Sequence, residues 1–291
     1  MKAIHLPTLD FLKSPRFWLL GIGSSLIAIH LSLTNREGNR SLFALSLLFW
    51  FAASSLVWKK RDRLDFNSGI FPSSIGLLII AAVLLKSSTL PTSNFLGVAP
   101  FLSALGLSLL ASGWRGLKQY WRELTVLFFL NVPKVLLWPL LDISEITAKF
   151  ATFILWYGGF DVYRNGFEIM LPQDGVNVNM GCSGLEGMFY LLGLAVLFLN
   201  MFPLPELNKK IIVPVVAIAI AFTVNGFRVA LMAILANAQD RVGLDYWHVG
   251  DGSLIFSMIS VGLFGLFCYF LLRLENREPQ TTEKTLDRSE I

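Results

Sequence analysis

Eight long apolar runs separated by polar segments organise the chain, at residues 17–33, 42–58, 70–85, 95–111, 119–141, 183–202, 211–236 and 253–272. A helix crosses a hydrocarbon core of about 30 Å with roughly 20 mostly apolar residues, and these runs meet or approach that length. The pattern predicts an all-α polytopic membrane protein with about eight transmembrane helices. The first run is too long for a signal-peptide core and lacks a small-x-small cleavage pattern, so it reads as a retained span. Trp18, Trp58, Trp114, Trp121 and Trp138 fall near run ends, where amphipathic rings favour the headgroup level.

One connecting segment, 142–182, is long and patterned. Ile143, Ile146, Phe150, Phe153, Ile154 and Tyr157 follow helical spacing with Glu145, Lys149 and Thr152 opposite, which predicts an amphipathic helix lying on the outer membrane face. After Gly158-Gly159, residues 160–163 and 167–171 flank Arg164-Asn165-Gly166 and predict a small β-hairpin with an Asn-Gly turn before span six. Val176 and Val178 alternate with Asn177 and Asn179, suggesting a third strand that leads into Cys182. Residues 1–274 then form one integral membrane domain, and polar residues 275–291 a disordered tail.

Composition turns the run pattern into an exclusion. The chain has 291 residues, 54% apolar and 15% charged. Soluble domains carry roughly 25% charged residues, so a water-facing surface of normal size cannot be built. The net charge of +4 is small, and its placement carries more information. Lys59-Lys60-Arg61 with Arg63, then Arg115, Lys118 and Arg122, then Lys209-Lys210, and the termini with Lys2, Lys13, Arg16, Arg273 and Arg277 all favour the cytoplasmic side. Both termini are expected in the cytoplasm, with 142–182 and 237–251 on the outer side. Arg36 and Arg40 point the other way. No basic stripe interleaved with aromatics suggests nucleic-acid binding. The partner read directly is the lipid bilayer, and no cofactor or metal is called for.

Candidate chemistry gathers at outer ends of runs. Cys182, in Gly181-Cys182-Ser183-Gly184, sits where the loop meets span six, and a thiol at a helix N-terminus is expected to have a lowered pKa. The plain alternative is a small buried apolar residue. Cys268 fits that alternative, lying about 25 Å into the last span and too deep to pair with Cys182. Arg228, in Asn225-Gly226-Phe227-Arg228, lies about 12 Å below the outer end of its span. A buried intramembrane arginine costs at least about 2–3 kcal/mol, so a functional role is the default, against snorkelling or a structural pair with Glu186. Lys134, between Pro133 and Pro139, reads as interfacial at a helix end or bend. His248 precedes the last span and can move a proton near neutrality, though a lone interfacial histidine is commonly incidental.

Gly-Cys-Ser-Gly-Leu at 181–185, Asn-x-x-Arg at 225–228 and His-x-x-x-Gly-x-x-x-Phe at 248–256 resemble the exosortase and archaeosortase family of polytopic transpeptidases. The run from Gly158 to Pro172 resembles the segment before that family's cysteine, and the resemblance covers about 119–256. Histidine at the third position looks like the bacterial exosortase branch, and general similarity suggests its cyanobacterial subgroup. Leu185-Glu186 departs from the apolar-then-arginine continuation of the family motif, which puts the charge around Cys182 in question. The resemblance implies a cysteine transpeptidase or protease in the bacterial inner membrane that cleaves a C-terminal sorting signal of exported proteins. That signal would comprise a Pro-Glu-Pro type (PEP-CTERM) motif, a span and a basic cluster, cut at the outer face through a thioacyl enzyme. Cys182 is then the nucleophile, His248 the base and Arg228 the oxyanion or carbonyl holder, with Ser183, Glu186 and Asn225 as possible support. The acceptor nucleophile stays open between water and an amine.

Two other readings fit the same residues. Gly-x-Ser-Gly at 181–184 also resembles the nucleophile pattern of rhomboid serine proteases, which would use Ser183 and His248. A non-enzymatic transporter or assembly subunit would use Arg228 as an anion-binding charge.

Overall fold

The computed structural model describes residues 14–89, 91–248, 250 and 252–275. The elements are α1 Pro15–Glu37, α2 Arg40–Lys59, α3 Ile70–Ser88, α4 Ser93–Gly116, α5 Trp121–Leu137, α6 Ser144–Tyr157, β1 Tyr163–Asn165, β2 Glu168–Met170, β3 Gly175–Asn177, α7 Leu185–Met201, α8 Leu207–Asn237, α9 Arg241–His248 and α10 Gly252–Glu275. Among the described residues, six stretches are long and apolar enough to cross a membrane: α1, α2, α3, Ser93–Leu137, α8 and α10. The Ser93–Leu137 stretch has 45 residues and contains both α4 and α5, with α4 broken at Gly113. α7 is apolar but has 17 residues. The protein is therefore an all-α polytopic membrane protein carrying one small antiparallel sheet.

Burial gives the same answer as composition. Only 11% of the apolar window of α10, and 17% of those of α1 and α3, is buried. Apolar helix faces left this bare suit hydrocarbon, where a helix satisfies its backbone polar groups internally. Lys134 is half-buried on α5, which continues through Pro133 to Leu137 instead of ending there. The expected tail beyond Glu275 and the basic residues Lys2, Lys13 and Arg277 lie outside the described residues, while Glu275 closes α10.

The chain divides into two compact units. The first comprises the described residues to Leu137 with Val196–Pro203. Its α3 and α4 approach closely because a Cβ at Gly76 would lie 2.5 Å from the Gly106 carbonyl oxygen, the small-residue packing common between membrane helices. Pro100 inside α4 has no N–H, so the Leu96 carbonyl lacks its usual partner one turn on. His30 of α1 supplies one, with Nε2 2.9 Å from the Leu96 oxygen, while Trp50 Nε1 of α2 donates to His30 Nδ1 at 3.2 Å. A carbonyl only accepts, so His30 is the Nε2–H tautomer and links three helices. His30→Ala should leave two buried polar groups unpaired at about 1–3 kcal/mol each and lower thermal stability in detergent. An unchanged melting temperature would contradict this.

The second unit comprises Trp138–Ala195 and the described residues from Leu204. α8 is its central element, packing against α6, α9, α10 and β3. The core gathers Ala148, Ala151 and Leu155 of α6, Ile169, Leu171 and Val178 of the sheet region, and Val229, Ala230 and Ala233 of α8. The α6 face against α8 is thus the small-residue face. Of the apolar stripe predicted to define this helix, Ile146, Phe153 and Tyr157 are exposed and Phe150 and Ile154 half-buried. Small side chains let the backbones approach, leaving the bulky ones outside.

The sheet runs β1-β2-β3, antiparallel throughout. Asn165 pairs with Glu168, so the two-residue turn is Gly166-Phe167, one residue later than the predicted Asn-Gly turn. Gly166 has φ of 59°, and glycine at the first central position is the type II′ preference, which matches strand twist. The third strand covers Gly175–Asn177, and the chain then turns at Asn179 into Cys182 instead of running straight.

Candidate active site

Cys182 lies on the loop between β3 and α7, held by its backbone from three directions. Its N–H donates to the Asn179 carbonyl at 2.9 Å and to Asn179 Oδ1 at 3.1 Å. Its carbonyl accepts from Asn225 Nδ2 of α8 at 2.9 Å. One residue on, Thr147 Oγ1 of α6 donates to the Ser183 carbonyl at 2.7 Å. The side chain is buried in the apolar core of the unit.

Among the described residues the sulfur meets a side chain from far along the sequence: Cys182 Sγ lies 3.4 Å from Nε2 of His248, a residue 66 positions later. His248 closes α9, a short helix that span counting overlooks. The signal for α9 was present, since Asp240 Oδ1 accepts the Gly243 N–H at 2.8 Å in the manner of an N-cap. Arg228 of α8 grips the same end of α9, with Nε 3.3 Å from the Trp247 carbonyl and Nη2 2.7 Å from the His248 carbonyl. The last carbonyls of a helix are unsatisfied and carry its negative dipole end, so a guanidinium is well placed there. Trp247 also packs edge-on against Phe256 of α10, with ring centroids 5.5 Å apart.

The expected lowering of the thiol pKa is overturned. Burial pushes the Cys182 thiol above its usual range, and the charge of Arg228 pulls the other way as the smaller influence. Cys182 stands three residues ahead of α7, which begins at Leu185, with its own N–H already committed to Asn179. The helix-terminus effect fades within about a turn, whereas apolar surroundings act directly on the sulfur. A buried thiol beside an imidazole needs that imidazole to ionise.

Ser183 is fully buried and turned to structural work. Its hydroxyl donates to the Met180 carbonyl at 2.7 Å and accepts the Leu185 N–H at 3.3 Å, tying the loop to the start of α7. Glu186 Oε1 accepts the Tyr190 hydroxyl at 2.8 Å, and its charge reaches Arg228. The structure therefore brings together Cys182, His248, Arg228 and Asn225, and adds Asn179 and Thr147. Residue spacing gave no sign of Thr147, while Asn179 read as an ordinary strand position. Cys268, buried in α10, is free like Cys182.

The family model described as transmembrane exosortase (Exosortase_EpsH) matches residues 37–265. The chain belongs to the transmembrane exosortase family. No curated protein and no solved structure matched it. Exosortases are membrane peptidases and transpeptidases, and the matched range takes in Cys182, Asn225, Arg228 and His248 of this one. It also begins well before residue 119, where the motif resemblance starts, so most of the first unit of this exosortase falls inside the family match as well.

Proposed function

We propose that the chain is a cysteine transpeptidase or peptidase that cleaves a C-terminal sorting signal of exported proteins at the outer face of the bacterial inner membrane. The observation that carries this reading is the 3.4 Å approach of Cys182 Sγ to His248 Nε2 in an exosortase-family chain. A membrane-anchored substrate suits an enzyme embedded in the same bilayer, with its basic end in the cytoplasm. The basic ends of α2 at Lys59 and of α10 at Arg273 support cytoplasmic termini.

His248 Nε2 takes the thiol proton as Sγ attacks the scissile carbonyl carbon, forming the S–C bond and a tetrahedral oxyanion. The oxyanion collapses, the C–N bond breaks, and the proton on His248 passes to the leaving amine. A thioester at Cys182 remains, which water or an acceptor amine resolves. Arg228 gives two N–H groups to the Trp247 and His248 carbonyls, and a guanidinium has five. Its remaining donors and its charge favour the oxyanion.

A serine-nucleophile mechanism is disfavoured because Ser183 is already paired on both sides. With a co-expressed candidate substrate ending in a Pro-Glu-Pro type motif, a span and a basic cluster, Cys182→Ala should abolish processing. Ser183→Ala should retain it, with a stability loss of about 1 kcal/mol for the lost hydroxyl hydrogen bonds. Full processing by Cys182→Ala would sink the proposal, and mass spectrometry of native Cys182 should reveal the acyl adduct.

A further inference from the structure

We infer that Asn225 is a positioning residue for Cys182, and that it and Arg228 on one turn of α8 set the separation of nucleophile and base. This rests on the assignment of Cys182 and His248 as the reacting pair. Those two residues come from segments 66 positions apart, and each segment is referred to α8 by a hydrogen bond to its backbone. Asn225 Nδ2 donates to the Cys182 carbonyl at 2.9 Å, and Arg228 Nη2 donates to the His248 carbonyl at 2.7 Å. Residues three apart on a helix share a face, so both hydrogen bonds originate from one rigid surface.

The Asn225 side chain does more than offer a donor. It is 9% exposed, and the loop lies directly on it: a Cβ added at Gly184 would stand 2.6 Å from its Cγ and Nδ2. Asn225 therefore limits how near the loop comes to α8 and, through its amide, how far it can move away. Below it, Gly226 presents no side chain, and Phe150 of α6 fills that space. Neighbouring core residues thus hold this turn of α8 in place. The Cys182 N–H bonds to Asn179 lie within the loop itself and cannot refer it to α8. Among the described contacts, the Asn225 amide bonds the Cys182 backbone directly to α8, the helix that also holds His248.

The consequence is specific to the thiol–imidazole contact. Without the Asn225 donor the loop keeps its internal turn and Ser183 keeps its bond to Thr147, but Cys182 is no longer fixed against His248. Asn225→Asp tests this with almost unchanged shape, since an ionised carboxylate cannot donate to a carbonyl. The readout is the rate of Cys182 alkylation by iodoacetamide against pH, on the full-length protein in detergent with Cys268→Ser, so that no substrate is needed. In the presence of His248, Asn225→Asp should slow alkylation near neutral pH about tenfold and move its profile toward that of His248→Ala. In a His248→Ala background the same Asn225→Asp change should slow it by a clearly smaller factor, that of the carboxylate charge near the sulfur, because the contact it serves is already gone. An equal slowing in both backgrounds would overturn the inference, as it would mean a general disturbance of the loop. An unchanged profile for Asn225→Asp would overturn it as well. If His248→Ala alone leaves the profile unchanged, the pairing of Cys182 with His248 falls, and that failure is distinct from the first two.

Discussion

His248→Ala should reduce substrate cleavage by about 10²- to 10⁴-fold, the usual span for loss of a positioned general base. The effect is expected to depend on pH in a particular sense. Burial raises the Cys182 thiol above its usual range, so near neutrality the sulfur stays protonated unless a neighbour accepts its proton. His248 Nε2, at 3.4 Å, is that neighbour. In the variant, residual cleavage should climb as pH rises toward and beyond the ordinary thiol range, where hydroxide begins to do the work of the imidazole. In the native enzyme, where His248 Nε2 stands beside the sulfur to take its proton, the climb should come at lower pH than in the variant. Rate against pH for the two proteins, in detergent or nanodiscs, separates these cases. Parallel profiles offset by a constant factor would show that His248 does not handle the thiol proton.

Gly184→Ala should damage both the rate and the stability. Gly184 has φ of 85°, the left-handed region in which a side chain costs about 1–2 kcal/mol, and its Cβ would stand 2.6 Å from Asn225. Relief of that overlap moves the loop two residues from Cys182. A displacement near 1 Å at a reacting atom can cost about 100-fold in rate, and a loss of that order is expected here. Gly187→Ala is the control: a Cβ there meets nothing within 4 Å, and alanine favours the α7 helix in which it sits. Cleavage rate and melting temperature of both proteins provide the test. A Gly184→Ala enzyme with native rate would mean that the loop does not hold Cys182 in its working position.

What could be read from the chain beforehand follows from which forces act locally. Long apolar runs report directly on a membrane solvent, so the long apolar helices from Pro15–Glu37 to Gly252–Glu275 were legible with end errors of a few residues, and the short α9 was not. The small sheet was legible from alternation and Gly166, but its register shifted by one residue because pairing across the turn, not the turn residues alone, selects the central pair. α6 was found as a helix, yet its buried side is set by how closely α8 can approach, which favours Ala148 and Ala151 over Ile146 and Phe153. At the site, Cys182, Arg228 and His248 stood out as chemically unusual for their positions. The contact between Cys182 and His248 could not be read the same way, because it depends on α9 folding back so that its last carbonyls reach Arg228. Thr147 donates to a backbone carbonyl, and no side-chain pattern announces that.

The His30 bridge in the first unit has an evolutionary corollary. Pro100 deprives the Leu96 carbonyl of a donor and the His30 ring restores one, so each residue makes sense in the presence of the other. A lineage that exchanged the proline for a residue with an N–H would supply the Leu96 carbonyl from within α4, and the ring at position 30 would then be kept by the Trp50 Nε1–H. One that lost the histidine first would carry a buried, unpaired Leu96 carbonyl until position 100 changed. Loss of the ring at 30 should therefore come with changes at both 100 and 50 across relatives.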